Sequence, residues 1–159
     1  MDQWSFFSTI LDNGRVSFNL SSEKAYTFRF VFQAQSKKLD NGQIRQFVIL
    51  GNDVKLIEVG NDKEEDGTLK WFGVDFNYHM FALVLKDKLP AKYKTTEGGQ
   101  LIVEIPTAAK SFNGDLVFTK KNYDTLIGLG DNLHLAVDFG FFAVLAVPTL
   151  RGLQFIYKY

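Results

Sequence analysis

The chain has 159 residues, enough for one domain with a substantial core and short for two. Lysine plus arginine equals aspartate plus glutamate at 18 each, so no net field draws a polyanion and nucleic acid is not an expected partner. Cysteine is absent and the histidines are His79 and His134, which removes disulfides and thiolate sites and leaves little for a metal cluster; no metal or cofactor is expected.

The first residues, Met1-Asp2-Gln3-Trp4-Ser5, carry neither the basic start nor the apolar run of a signal peptide. Nowhere do about 18 uncharged apolar residues follow one another. The chain is expected to be soluble as it stands, with any export signal lying in sequence outside it.

From Arg15 to about Phe118 apolar and polar residues alternate. Val16, Phe18 and Leu20 enclose Ser17 and Asn19, and Phe28, Phe30 and Phe32 repeat the pattern around Arg29. Further predicted strands are Gln46 to Leu50, Val54 to Val59, Phe81 to Lys86, Gln100 to Ile105 and Leu116 to Thr119. Asp12-Asn13-Gly14, Asp40-Asn41-Gly42, Asp66-Gly67, Gly98-Gly99 and Asn113-Gly114 read as the turns between them. Sixteen phenylalanines in such surroundings favour sheets. The expected fold is mainly β, an antiparallel sandwich. The acidic run Asn61 to Asp66 lacks the spacing of a calcium loop and reads as a solvated hairpin tip.

After Phe118 the spacing turns helical, and a short helix near 121–129 is predicted to end at a C-cap glycine, Gly130. Leu133, Leu135 and Val137 alternate as a last strand. From Phe141 to Val147 every residue is apolar, and Pro148 fits the first turn of a new helix. On that helix Arg151, Gln154 and Lys158 share one side, and Ala146, Leu150, Leu153 and Tyr157 the other. Amphipathicity alone favours a helix packed on the sheet over one lying on a membrane surface.

Two separated blocks carry a family resemblance. The first is Lys70-Trp71-Phe72-Gly73-Val74-Asp75-Phe76-Asn77-Tyr78-His79-Met80-Phe81-Ala82. The second runs from Phe118-Thr119-Lys120-Lys121 through Asp138-Phe139-Gly140-Phe141-Phe142 to Ala146-Val147-Pro148-Thr149-Leu150. In this order they resemble the end of the periplasmic domain of YidC-type membrane protein insertases, with Thr119-Lys120-Lys121 standing where the family has a Gly-Pro-Lys-like turn. Before Trp71 the likeness is one of β pattern alone.

The resemblance implies a β-supersandwich spanning residues 1–138, placed on the periplasmic face of the bacterial inner membrane. Residues 139–159 become an interfacial helix leading to a transmembrane core that lies beyond Tyr159. Trp71, Tyr78, Phe81, Asp138, Phe139 and Gly140 take structural roles in the motif. Phe141, Phe142, Leu145, Pro148, Leu150, Arg151, Leu153, Tyr157 and Lys158 form the membrane-interface and core-coupling segment. The implied role is accessory and not enzymatic: docking to the Sec translocon and its accessory subunits, or holding nascent membrane proteins.

A carbohydrate-binding or mutarotase-like sandwich is the alternative. His79 would then serve as acid and Glu104 or Glu58 as base, or exposed Trp71, Tyr78 or Tyr93 would stack on a sugar.

Overall fold

A computed structural model describes residues 4–11, 14–22, 24, 26–34, 44–76, 78–106, 111–137, 148–149, 152–153 and 156–157. The strands are β1 (Trp4–Leu11), β2 (Arg15–Ser22), β3 (Thr27–Gln33), β4 (Ile44–Leu50), β5 (Val54–Glu58), β6 (Lys63–Phe76), β7 (His79–Thr95), β8 (Gln100–Pro106) and β9 (Ser111–Lys120). Helix α1 (Tyr123–Leu129) and a 3-10 helix (Leu133–Ala136) follow. Every described pairing is antiparallel.

The long hairpin β6–β7 organises the molecule. Its outer half pairs Trp71–Phe76 with His79–Val84 and is flanked by β4 and β9. This gives a large sheet in the order β1-β2-β9-β7-β6-β4-β5, open at both ends. Its inner half pairs Lys63–Leu69 with Leu89–Thr95, and there β8 joins β7 and β3 joins β8. The register shifts between Leu69 and Trp71. Such an irregularity sharpens strand twist and lets one hairpin serve two sheets.

The two sheets face each other across an aromatic core. Alternation on β3 turns Phe28, Phe30 and Phe32 inward. Phe30 meets Phe72 at 5.5 Å between ring centroids, and Phe28 meets Phe112 at 4.7 Å. Phe47, Ile49, Val74, Leu83, Leu101, Val103 and Ile105 complete this layer. The opposite face of the large sheet carries Val48, Leu50, Trp71, Met80, Ala82, Val84 and Val117, and α1 with the 3-10 helix covers it. Gln46 to Leu50 are buried without alternation because β4 is covered on both faces.

The expected antiparallel β architecture and the short helix are present, with several local corrections. Asn113-Gly114 is not a turn: it lies inside β9, where a Cβ on Gly114 would stand 2.8 Å from the Val84 carbonyl oxygen and 3.0 Å from the Phe18 ring. Glycine is there to let neighbouring chains approach. Asp66-Gly67 likewise lies within β6. Of the acidic run, Lys63 to Asp66 belong to a strand whose charges pair across to β7, Glu64 with Lys94 at 3.7 Å. Within the predicted strand Leu133 to Val137, Leu133–Ala136 form a 3-10 helix, since Leu133 and Ala136 pack on a sheet face while Leu135 stays exposed, and no ladder is extended.

Helix α1 ends where predicted and begins two residues later, at Tyr123. Asn122 accepts hydrogen bonds from the Asp124 and Thr125 amides, and Gly130 closes the helix with φ 78°. Further on, Pro148, Thr149, Gly152, Leu153, Ile156 and Tyr157 are helical and exposed. No helix among the described residues is long and apolar enough to cross a membrane.

Candidate functional site

The outer face of the large sheet is where the sandwich hands the chain on to its C-terminal segment. Helix α1 and the 3-10 helix form a bracket pressed onto that face by Leu126, Leu133 and Ala136, each 0% exposed. Burying a leucine in this way contributes about 1.5–3 kcal/mol. Trp71, also fully buried, lies under the bracket and donates its indole N–H to the Asp131 carbonyl at 3.0 Å.

Polar contacts hold the bracket at both ends. At its start, Lys121 sends its ammonium to Asp75 Oδ2 at 2.6 Å, and Gln46 Nε2 donates to the same oxygen at 2.8 Å. Asp75 is completely buried and the Lys121 side chain is 9% exposed. At the far end, Arg15 Nη2 donates to Asp131 Oδ2 at 2.6 Å and to the Leu129 carbonyl at 2.7 Å, while Nη1 reaches Asp115 Oδ2 at 2.9 Å. Lys70 stands 3.5 Å from Asp131 and donates to the Leu85 and Lys86 carbonyls. Asp131 and Asn132 both take positive φ, a conformation that this set of contacts holds in place.

Such buried pairs add little net stability against an apolar substitute, but they fix which packing is adopted. Here they set where on the sheet the bracket sits, and so where the chain leaves at Val137.

Beside the Arg15 cluster a cleft of about 510 Å³ opens, lined by Arg15, Ser17, Asn19, Lys70, Asn113 and Asp131 among others. Phe18, Val84 and Leu85 give its wall an apolar part, and Arg15, Ser17, Asn19, Asn113, Asp115 and Asp131 are engaged with one another. No group of histidine, aspartate and glutamate suited to a metal ion occurs among the described residues.

A third polar cluster joins the two sheets' margins: Lys55 donates to Glu65 and to Tyr93 Oη, and Tyr93 donates to Glu65. The Glu65 carboxyl is held below its ordinary range, first by the Lys55 hydrogen bond and then by Tyr93. Hydrogen bonding to Glu65 and then to Tyr93 raises the Lys55 ammonium. Burial, then the bond to Glu65, raises the Tyr93 phenol.

The residues singled out from the sequence fall in separate places. Trp71 is core beneath the bracket, Phe81 packs against the inner core with its ring 5.9 Å from Phe32, and Tyr78 is 67% exposed at the β6–β7 turn. Pro148, Leu153 and Tyr157 are exposed helical positions. Asp138, Phe139, Gly140, Phe141, Phe142, Leu145, Leu150, Arg151 and Lys158 lie outside the described residues. His79 stacks on Phe118 at 5.8 Å in the large sheet, whereas Glu104 pairs with Arg29 at 3.5 Å on the small one and Glu58 ends β5. Of the three aromatics considered for sugar stacking, Trp71 and Tyr93 are buried, so neither presents a ring face to solvent.

Sequence reasoning missed Arg15, Asp75, Asp115, Lys121 and Asp131. The β2–β9 register puts Arg15 and Asp115 on one outer face, and nothing local in the sequence announces that a helix loop returns there.

The molecule is thus an open two-sheet antiparallel domain with a helical bracket at its C-terminal end. No protein-family model matches the chain. It is similar to the membrane protein insertase YidC of Nitratidesulfovibrio vulgaris, with 34% identity over 102 residues, 59% of this chain and 19% of that protein. It is also similar to the membrane protein insertase YidC of Geobacter metallireducens, 34% identical over 111 residues, 64% of this chain and 20% of the relative. The membrane protein insertase YidC of Lawsonia intracellularis is 32% identical over 108 residues, 60% of this chain and 20% of the relative. The chain spans about a fifth of the length of these curated relatives. These matches bear out the resemblance read from the two motif blocks: the chain is related to the YidC-type insertases over about three fifths of its length.

Proposed function

We propose that this chain is an accessory, non-enzymatic domain of a YidC-type insertase, standing on the periplasmic face of the inner membrane. It would dock Sec translocon subunits or briefly hold segments of nascent membrane proteins. Residues 139–159 would rest on the bilayer and couple the sandwich to a transmembrane core. The observation that carries this reading is the sequence similarity to YidC proteins, over about 60% of the chain. The bracket supports it physically. A unit pinned by Lys121–Asp75 at one end and Arg15–Asp131 at the other relays position to whatever follows Val137. Within 139–159, burial of Leu150, Leu153 and Tyr157 would drive contact with lipid, leaving Arg151 and Lys158 near anionic headgroups.

The docking role is tested by placing photo-reactive side chains at exposed positions of the sandwich in cells that are inserting a membrane protein. Cross-links to translocon subunits or to the nascent chain are expected, and cross-links to neither would sink it. The sugar-binding alternative rests on the polar cleft beside Arg15, and it demands a saturable change in tryptophan fluorescence on titration with sugars.

A further inference from the structure

We infer that the sandwich has a lipid contact of its own: a tip formed by Tyr78, His79, Phe118 and Lys120 that settles at headgroup depth in an anionic bilayer. The inference rests on the reading of residues 139–159 as a membrane-surface segment, and it says which end of the sandwich faces the membrane.

The large aromatic side chains of the two cores are buried; Phe47, Trp71, Phe72 and Phe112 are at most 1% exposed. Against that background Tyr78 at 67% and Phe118 at 60% stand out. They belong to one end of the large sheet. Tyr78 precedes β7, and its carbonyl accepts the Lys121 amide at 2.8 Å. Phe118 lies opposite Phe81 on β9 and stacks on His79, centroids 5.8 Å apart and planes 5° from parallel; His79 in turn pairs with Lys120. Exposed apolar side chains also occur singly elsewhere, as at Val31 and Ile127, but here two large rings lie at one end of one sheet, the grouping that a contact surface requires.

Its chemistry favours lipid over protein. A phenol and an imidazole each have an apolar body and a polar edge, the property that places such rings at the membrane–water boundary. The exposed Lys120 beside them suits anionic headgroups, whereas lysine is depleted from the cores of protein interfaces.

Its position fits as well. Helix α1 starts just beyond Lys120, and the Tyr123 ring meets His134 edge-on at 5.6 Å, which brings the 3-10 helix back to this end. Val137 follows three residues after His134 and leads into the apolar run Phe141 to Val147. The proposal places this end of the sheet and the C-terminal segment at one membrane surface.

The absence of cysteine allows a direct test in the full chain. An environment-sensitive fluorophore is attached to Tyr78→Cys, Phe118→Cys, Leu153→Cys or, as a control, the exposed Lys88→Cys far along β7. Vesicles of phosphatidylglycerol with phosphatidylcholine are then added. Blue shifts at 78 and 118 but not at 88 support the tip. A shift at 153 without one at 118 overturns it and leaves the C-terminal reading standing, whereas a shift at 118 without one at 153 supports the tip and sinks that reading. A shift at 118 that follows protein concentration without vesicles shows self-association and overturns the proposal. The double variant Tyr78→Ser, Phe118→Ser alters exposed positions and is expected to keep its melting temperature while losing vesicle partitioning on the order of tenfold. Unchanged partitioning contradicts the tip.

Discussion

Asp75 is the residue whose removal has the most predictable consequence. It is wholly buried, and Lys121 and Gln46 both point at its Oδ2. Asp75→Ala leaves a buried ammonium without its partner and is expected to cost roughly 3–5 kcal/mol in urea denaturation. The double variant Asp75→Leu, Lys121→Met removes both charges and should recover most of that loss. At Gly114 the constraint is steric rather than electrostatic. Gly114→Ala would drive a methyl against the Val84 carbonyl and is expected to destabilise by about 1–3 kcal/mol, with β9 shifting away from β7.

The Lys55–Glu65–Tyr93 cluster gives a pH signature. Because Glu65 is held below 4.5, its contribution is present above that pH and fades as pH falls through the lowered value. Lys55 and Tyr93 are raised above 10.5 and 10.0, so their contributions are complete below those values and fade as pH climbs past them. The stability difference between the native chain and Glu65→Gln, followed by urea denaturation across pH, should be flat near neutrality and shrink at both extremes. Lys55 is half exposed and solvent screens it, which keeps the difference below about 1 kcal/mol.

Among the elements, the bracket of α1 and the 3-10 helix is the one that carries function in this account, and its anchors should open it separately from the rest of the fold. Arg15→Met leaves the Asp115 and Asp131 carboxylates without the guanidinium and frees the Leu129 carbonyl. Amide hydrogen exchange between Leu126 and Ala136 is expected to accelerate on the order of a hundredfold or more, while the Phe72 and Leu83 amides of the central hairpin keep their protection. Equal acceleration everywhere would show that the bracket and sheet are one cooperative unit.

Alternation and capping made much of this element pattern legible in advance. Gly130 ends α1 as local chemistry requires, and the phenylalanines of β3 face the core as their spacing dictates. The failures share a physical cause, since each was settled by a partner distant in sequence. Asn113-Gly114 has the composition of a turn, yet β7 pairs alongside and needs the missing side chain. Leu133 to Val137 alternates like a strand, yet the sheet's outer face takes up Leu133 and Ala136, a spacing of three that suits a 3-10 turn.

For the molecule as a whole, the bend in β6–β7 decides the architecture. Seventeen residues of β7 belong to two sheets, a fact invisible in a window that shows only Phe81 to Lys86 as a strand. The site was less legible than the fold. Trp71 was recognisable as a motif residue, but its bond to the Asp131 carbonyl, and the ion pairs at both ends of the bracket, join positions about 46 to 116 residues apart. The two motif blocks pointed to relatives that the comparisons bear out, and the fold joins the described parts of those blocks: Trp71 lies beneath the helices of the second.

The central claim is that the sandwich passes its position to a segment lying on lipid. Flotation of the full chain with anionic liposomes, beside a chain lacking Phe141 to Tyr159, tests it most directly. The full chain should float and the shortened one should lose most of its binding, retaining the weak contribution of the Tyr78–Phe118 tip. Equal flotation of the two would contradict the assignment of the C-terminal segment to the membrane surface.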